Sequence, residues 1–106
     1  MPGKITVTEL HQKIKDNHRP FMLDVREPFE RDICKLTDDK NIPLKELENR
    51  VSELNKDQEI VVYCRSGGRS MQACQYLESI GFQHVVNLTG GVLAWSDYVD
   101  PTMPKY

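Results

Sequence analysis

The seven residues Cys64-Arg65-Ser66-Gly67-Gly68-Arg69-Ser70 concentrate the chain's capacity for chemistry. Ahead of them Ile60-Val61-Val62-Tyr63, β-branched and unbroken, reads as a strand. Behind them, from about Ser70 to Ile80, Ala73, Cys74, Leu77 and Ile80 recur on one face of a helix, and Gly81 suits the left-handed residue after its end. A thiol between a strand end and a helix amino terminus lies near unpaired backbone N–H groups and the positive end of the helix dipole. Gly67 and Gly68 let the main chain turn inward, so that several N–H groups converge on one point. Arg65 and Arg69 add positive charge, which lowers a thiol pKa. The product is a nucleophilic sulfur in a cradle for negative charge. Two glycines alone would mark only a tight connection; the thiol, both arginines and Ser70 beside them favour function.

The elements that must position this loop alternate between strand and helix. Ile5-Thr6-Val7 reads as a short strand, with Thr8 placed to cap a helix carrying Leu10 and Ile14 and ending near Asn17. Phe21-Met22-Leu23-Asp24-Val25 has no polar alternation, as in a strand buried on both faces, and Pro28 starts a brief helical turn. Between Arg31 and Asn41 the inward contacts are Ile33, Cys34 and Leu36. Leu44, Leu47, Val51 and Leu54 recur at three- and four-residue steps among charged residues, which predicts an amphipathic helix with a solvated face. Val85-Val86-Asn87-Leu88 is another buried-type strand, followed by Gly90-Gly91 and a last helix over about Val92 to Asp97. Apolar strands alternating with helices predict an α/β domain, a mainly parallel sheet of about five strands with helices on both faces. Reactive groups then belong in loops at the carboxyl ends of strands, which is where Cys64 falls.

Composition sets the outer limits. The 106 residues suit one small domain spanning 1–106 with no repeat or linker-like stretch. At 39% hydrophobic and 28% charged the chain is an ordinary globular sequence with no run long enough for a bilayer. A net charge of −2 argues against a nucleic-acid scaffold. Met1-Pro2-Gly3-Lys4 shows no apolar signal core, so export is not expected. Cys34, Cys64 and Cys74 are an odd set with no zinc spacing, and His11, His18 and His84 are scattered singly. These counts point to a reducing cytosol, no disulfide framework and no metal site.

Strand, Cys64-Arg65-Ser66-Gly67-Gly68-Arg69-Ser70 and helix together resemble the active-site loop of rhodanese-like sulfurtransferases. The resemblance extends to Leu23-Asp24-Val25-Arg26-Glu27-Pro28 and Ile42-Pro43-Leu44, then to Gly81-Phe82, Leu88, Gly90-Gly91 and Trp95, covering nearly the whole chain. It implies a small rhodanese-like fold and a persulfide on Cys64, with Arg65, Ser66, Gly67, Gly68, Arg69 and Ser70 forming the substrate cradle. It further implies a donor such as thiosulfate or a protein persulfide, and no metal or organic cofactor. Related phosphatases on this fold carry one more residue between Cys and Arg than the four found here, a ring wide enough for a tetrahedral oxyanion. The shorter ring favours a single extra sulfur atom.

Many family members read Gly-His-Ile and Gly-Ala before the Ile-Pro, whereas this chain reads Asp32-Ile33-Cys34-Lys35-Leu36-Thr37-Asp38-Asp39-Lys40-Asn41. That segment, and the stretch from Trp95 to Tyr106, resemble rhodanese domains attached to ubiquitin-activating-type adenylyltransferases of molybdopterin, thiamine and tRNA thiolation pathways. The resemblance therefore implies a second reading, a sulfur-relay module serving a ubiquitin-like sulfur carrier and its adenylyltransferase. Asp24, Arg26 and Glu27 read chiefly as a structural charge network beside the loop. Cys34 and Cys74 read as packing, with a resolving thiol as the alternative for Cys34. Trp95 and Tyr98 read as anchors of the last helix, with a partner contact as the alternative. Arg65 reads as facing the mouth, where it attracts the sulfonate end of a donor, and Arg69 as tying the loop to the domain body, with the exchanged roles as the alternative.

Overall fold

In the computed structural model, which describes residues 3–36 and 39–106, strands and helices alternate along the chain. The elements are β1 (Gly3–Ile5), α1 (Val7–Lys15), β2 (Phe21–Asp24), α2 (Pro28–Ile33), β3 (Lys40–Asn41), α3 (Leu47–Arg50), β4 (Ile60–Tyr63), α4 (Gly68–Ser79), β5 (Val85–Leu88) and α5 (Gly91–Tyr98). Short 3-10 turns at Leu44–Glu46 and Val51–Glu53 flank α3. The sequence readings that fall on Met1, Pro2, Thr37 and Asp38 lie outside the described residues. The strands form one sheet in the order β1-β5-β4-β2-β3, every neighbouring pair parallel.

Uniformly apolar strands follow from a core on each side of the sheet. Along β4, Ile60 and Val62 enter one core with Cys74 and Leu77 of α4 and Leu47 of α3. Val61 and Tyr63 enter the other, with Val7 and Leu10 of α1 and Val92 and Trp95 of α5. A strand whose neighbours on both faces are apolar has no position left for alternation. Among the described residues no helix is long and apolar enough to cross a membrane.

Four local readings need correction. The first helix is capped by Thr6, not Thr8, and β1 ends before it. Thr6 Oγ1 accepts from the Glu9 N–H at 3.1 Å while Glu9 Oε1 accepts from the Thr6 N–H at 2.9 Å, a reciprocal capping box that Thr8 cannot form with His11. The expected helix over Leu44–Leu54 is instead a 3-10 turn, one α turn and a second 3-10 turn. Its spacing contained that outcome: three-residue steps from Leu44 to Leu47 and from Val51 to Leu54, a four-residue step between. Ile33 is 39% exposed because α2 turns Glu30 inward, leaving Ile33 and Phe29 on the outer side one turn apart. Tyr98 is 76% exposed rather than an anchor, since α5 buries the face of Val92, Trp95 and Ser96. Trp95, Cys34, Cys74 and Leu36 pack inward as expected.

Candidate active site

Parallel pairing brings the carboxyl ends of β2, β4 and β5 to one edge, with Asp24 opposite Tyr63 and Val62 opposite Asn87. The chain leaves β4 at Cys64 and enters α4 through Gly67, whose φ of +111° only a residue without a Cβ adopts at little cost. Gly68 is different. It is the first residue of α4, and a Cβ there would meet nothing within 4 Å, so the inward turn needs one of the two glycines.

The turn wraps amides around sulfur. Cys64 Sγ accepts from the Gly67 N–H at 3.0 Å and the Ser70 N–H at 3.5 Å, and Ser70 Oγ lies 3.4 Å away. Cys64 is 1% exposed. That burial pushes its pKa up, but the Ser70 hydroxyl and the backbone N–H groups of Ser70, Gly67 and Ser66 outweigh it and bring the thiol below its ordinary value. At Cys74, burial without such donors pushes the thiol up to about 12. The Ser70 hydroxyl owns one hydrogen and has three acceptors near it: Cys64 Sγ, the Gly67 carbonyl at 3.1 Å and the Asn87 side-chain carbonyl. Asn87 also donates to the Gly67 carbonyl at 3.3 Å, so β5 braces the loop from behind.

The loop's own carbonyls are used as well. Those of Cys64 and Arg65 accept from the N–H groups of Val92 and Leu93 at 3.0 and 3.1 Å, which ties the start of α5 to the end of β4. A Cβ on Gly91 would stand 2.4 Å from the Cys64 carbonyl oxygen, so this approach requires glycine.

The two arginines point to different places. Arg69 meets Glu30 of α2 in a bidentate pair at 2.7 and 2.8 Å. The Arg69 guanidinium holds the Glu30 carboxyl down at about 2, and in return its own pKa rises. Arg65 is exposed, with its guanidinium carbon 5.2 Å from the centre of the Tyr106 ring. Beneath them Arg26, 0% exposed, binds Asp24 through Nε and Nη2 and the Cys34 carbonyl at 2.7 Å. Arg31 joins Asp24 at 2.8 Å and Asp39 at 2.6 Å, and Tyr63 donates to Asp39. Glu27 joins this network through its main chain, its N–H donating to Glu30 at 2.8 Å, while its carboxylate points away to Lys45 at 3.1 Å.

The structure thus gathers Cys64, Ser66, Gly67 and Ser70 around the sulfur and directs Arg65 and Arg69 outward. Sequence reasoning missed Glu30, Asn87 and Tyr106. Glu30 carried only the signal of a helix start behind Pro28, and nothing local linked it to an arginine 39 positions on. The polar Asn87 inside an apolar strand was the one visible clue, since a buried amide needs partners.

A family model described as Rhodanese-like domain matches residues 6–98. The chain is 41% identical to Rhodanese-like/PpiC domain-containing protein 12 of Arabidopsis thaliana, spanning 96% of this chain but 36% of that protein. It is 38% identical to a protein of Allochromatium vinosum named Sulfurtransferase, covering 91% of this chain and 90% of the relative. The probable adenylyltransferase/sulfurtransferase MoeZ of Mycobacterium tuberculosis is 34% identical over 96% of this chain, which spans 26% of MoeZ. Among solved structures, a rhodanese-like domain protein of Staphylococcus aureus superposes with a TM-score of 0.84 at 28% identity, covering 98% of both chains.

Proposed function

This chain belongs to the rhodanese-like domain family, and from that premise we propose that it transfers sulfane sulfur through a persulfide on Cys64. Sulfurtransferase activity is supported by the family and by relatives of nearly the same length named as sulfurtransferases. The persulfide step is supported by the ring of N–H groups closed on Cys64 Sγ within six residues.

The thiolate of Cys64, stabilised by these donors, attacks the outer sulfur of a donor such as thiosulfate. A sulfur–sulfur bond forms at Cys64, the donor's own bond breaks, and sulfite leaves with the electron pair. Arg65, at the exposed mouth, attracts the anionic end of the donor. Ser66, Gly67, Gly68 and Ser70 line the space for the terminal sulfur, while Arg69, paired to Glu30, fixes the far side of the ring. An acceptor nucleophile then takes the outer sulfur, and Cys64 departs as thiolate. Two half-reactions imply ping-pong kinetics. None of these steps asks for a metal or an organic cofactor.

Intact-mass measurement after exposure to thiosulfate tests the reading: a gain of ~32 Da, one sulfur atom, should appear and be absent in Cys64→Ser. The same variant should lose thiocyanate formation from thiosulfate and cyanide. Full activity in Cys64→Ser would remove Cys64 as nucleophile. Turnover of an aryl phosphate, lost in that variant, would instead favour a phosphatase.

A second reading, a relay module, is favoured by the relatives named adenylyltransferase and sulfurtransferase. The terminal sulfur of the Cys64 persulfide would then attack the adenylated carboxyl terminus of a ubiquitin-like sulfur carrier, expelling AMP and leaving an acyl disulfide; a second thiol then takes the Cys64 sulfur into a disulfide and releases the carrier as its thiocarboxylate. Incubation with a donor, such a carrier, an adenylyltransferase, ATP and a reducing thiol should place one sulfur on the carrier; no gain on the carrier removes support for the relay.

A further inference from the structure

Tyr106 meets the active loop at two points. Its ring lies under the Arg65 guanidinium, 5.2 Å from carbon to ring centre, with Arg26 5.9 Å away. Its hydroxyl accepts from Arg26 Nη1 at 2.9 Å and donates to Glu30 Oε1 at 2.8 Å. Glu30 Oε1 is also the atom that receives Arg69 Nη2, so one phenol touches Arg65 directly and Arg69 through a single carboxylate. Both positive charges of the Cys64 loop are therefore referred to a residue 42 positions beyond Cys64. An exposed arginine populates many rotamers, and a guanidinium spread over them attracts an anion to no fixed point. Over an aromatic face the guanidinium is held by the ring quadrupole, and its charge stays in one place.

We propose that Tyr106 is a positioning residue for an anionic sulfur donor: its ring holds the Arg65 guanidinium at the mouth of the Cys64 loop, and its hydroxyl braces Glu30 beneath Arg69. The proposal deepens the reading of Cys64 as nucleophile and rests on it. Ring and hydroxyl have separable tasks. Tyr106→Phe keeps the platform under Arg65 and removes the brace on Glu30; Tyr106→Leu removes both.

The test compares the rates at which Cys64 is alkylated by iodoacetate, an anion, and by iodoacetamide, its neutral counterpart, read by peptide mass mapping. Both reagents need the same access and the same thiolate, so their ratio isolates the charge at the mouth. Tyr106→Leu should lower the anionic-to-neutral ratio by roughly two- to fivefold, the range of an exposed cation–π contact, and Arg65→Ala, which removes the charge itself, by at least as much. The double variant should fall no further than Arg65→Ala alone, and Tyr106→Phe should keep the original ratio. A ratio unchanged in Tyr106→Leu, or a double variant showing the product of the two single losses, overturns the proposal. So does a Cys64 inert to both reagents. Thermal unfolding of each variant separates lost positioning from lost folding, and Arg65→Ala, at an exposed side chain, reads the charge if Tyr106→Leu does not fold. Alkylation does not need a persulfide, so failure of sulfur loading with this ratio pattern intact would sink the sulfurtransferase reading and leave the positioning role standing.

Discussion

Cys64 and Cys74 are the same side chain ten positions apart, both buried, and they are pushed in opposite directions. Burial raises each; only Cys64 has N–H and O–H donors aimed at its sulfur. Iodoacetamide at pH 8 should therefore label Cys64 and leave Cys74 unmodified, with the Cys64 rate reaching half its maximum below the ordinary thiol pKa. Equal labelling of the two by peptide mapping would contradict the donor argument. Glu30 offers a second check at this scale. The Arg69 guanidinium holds its folded pKa at about 2, below the ordinary glutamate value of 4.5, so its contribution to stability is complete above about 4.5 and is lost as pH falls through about 2. Urea midpoints of the native protein should drop across that window, and Glu30→Gln, less stable at pH 7, should show a flatter drop.

At the scale of elements, the site depends on how two helices begin. α4 starts behind a left-handed glycine at Gly67, and α5 starts against the carbonyls of Cys64 and Arg65. The glycines are not equivalent, and substitution separates them. Gly91→Ala places a Cβ 2.4 Å from the Cys64 carbonyl oxygen at a φ of +57°, and should lower the thermal midpoint strongly. Gly68→Ala meets open space in a helix and should hold or raise the midpoint, by roughly 0.4–1 kcal/mol in stability. A loss at Gly68→Ala as large as that at Gly91→Ala would show that the first turn of α4 is not helical in solution. The 3-10 turns flanking α3 carry the same lesson about reading spacing. Three-residue and four-residue steps look alike when summed as amphipathicity, yet they fell on different helix types.

Across the whole molecule, Arg26 connects what the sheet assembles. It binds Asp24 at the end of β2, the Glu30 and Cys34 carbonyls of and just beyond α2, and Tyr106, 80 positions away. Burial opposes its charge, and Asp24 and Tyr106 more than offset that, so its pKa is raised. Arg26→Ala would leave the buried Asp24 with Arg31 as its ion-pair partner among the described residues and the residue-26 N–H as a backbone donor. A loss of ~3–5 kcal/mol in urea unfolding is expected, and a loss under 1 kcal/mol would mean the network is solvated. What the amino-acid order determined by itself is local: the strand–thiol–glycine–helix succession, the four-residue ring from Cys64 to Arg69, the parallel α/β plan and the packing of Cys74. Each depends on residues within a turn or two of one another, or on apolar periodicity, which every short window displays. Tertiary structure decided where each arginine points, which acid receives Arg69, that Asn87 faces Ser70 and that Tyr106 underlies Arg65. Those partners are separated by 17 to 41 residues, and only the stacking of parallel strands, which sends successive carboxyl ends to one edge, brings them within hydrogen-bonding or ring-contact distance.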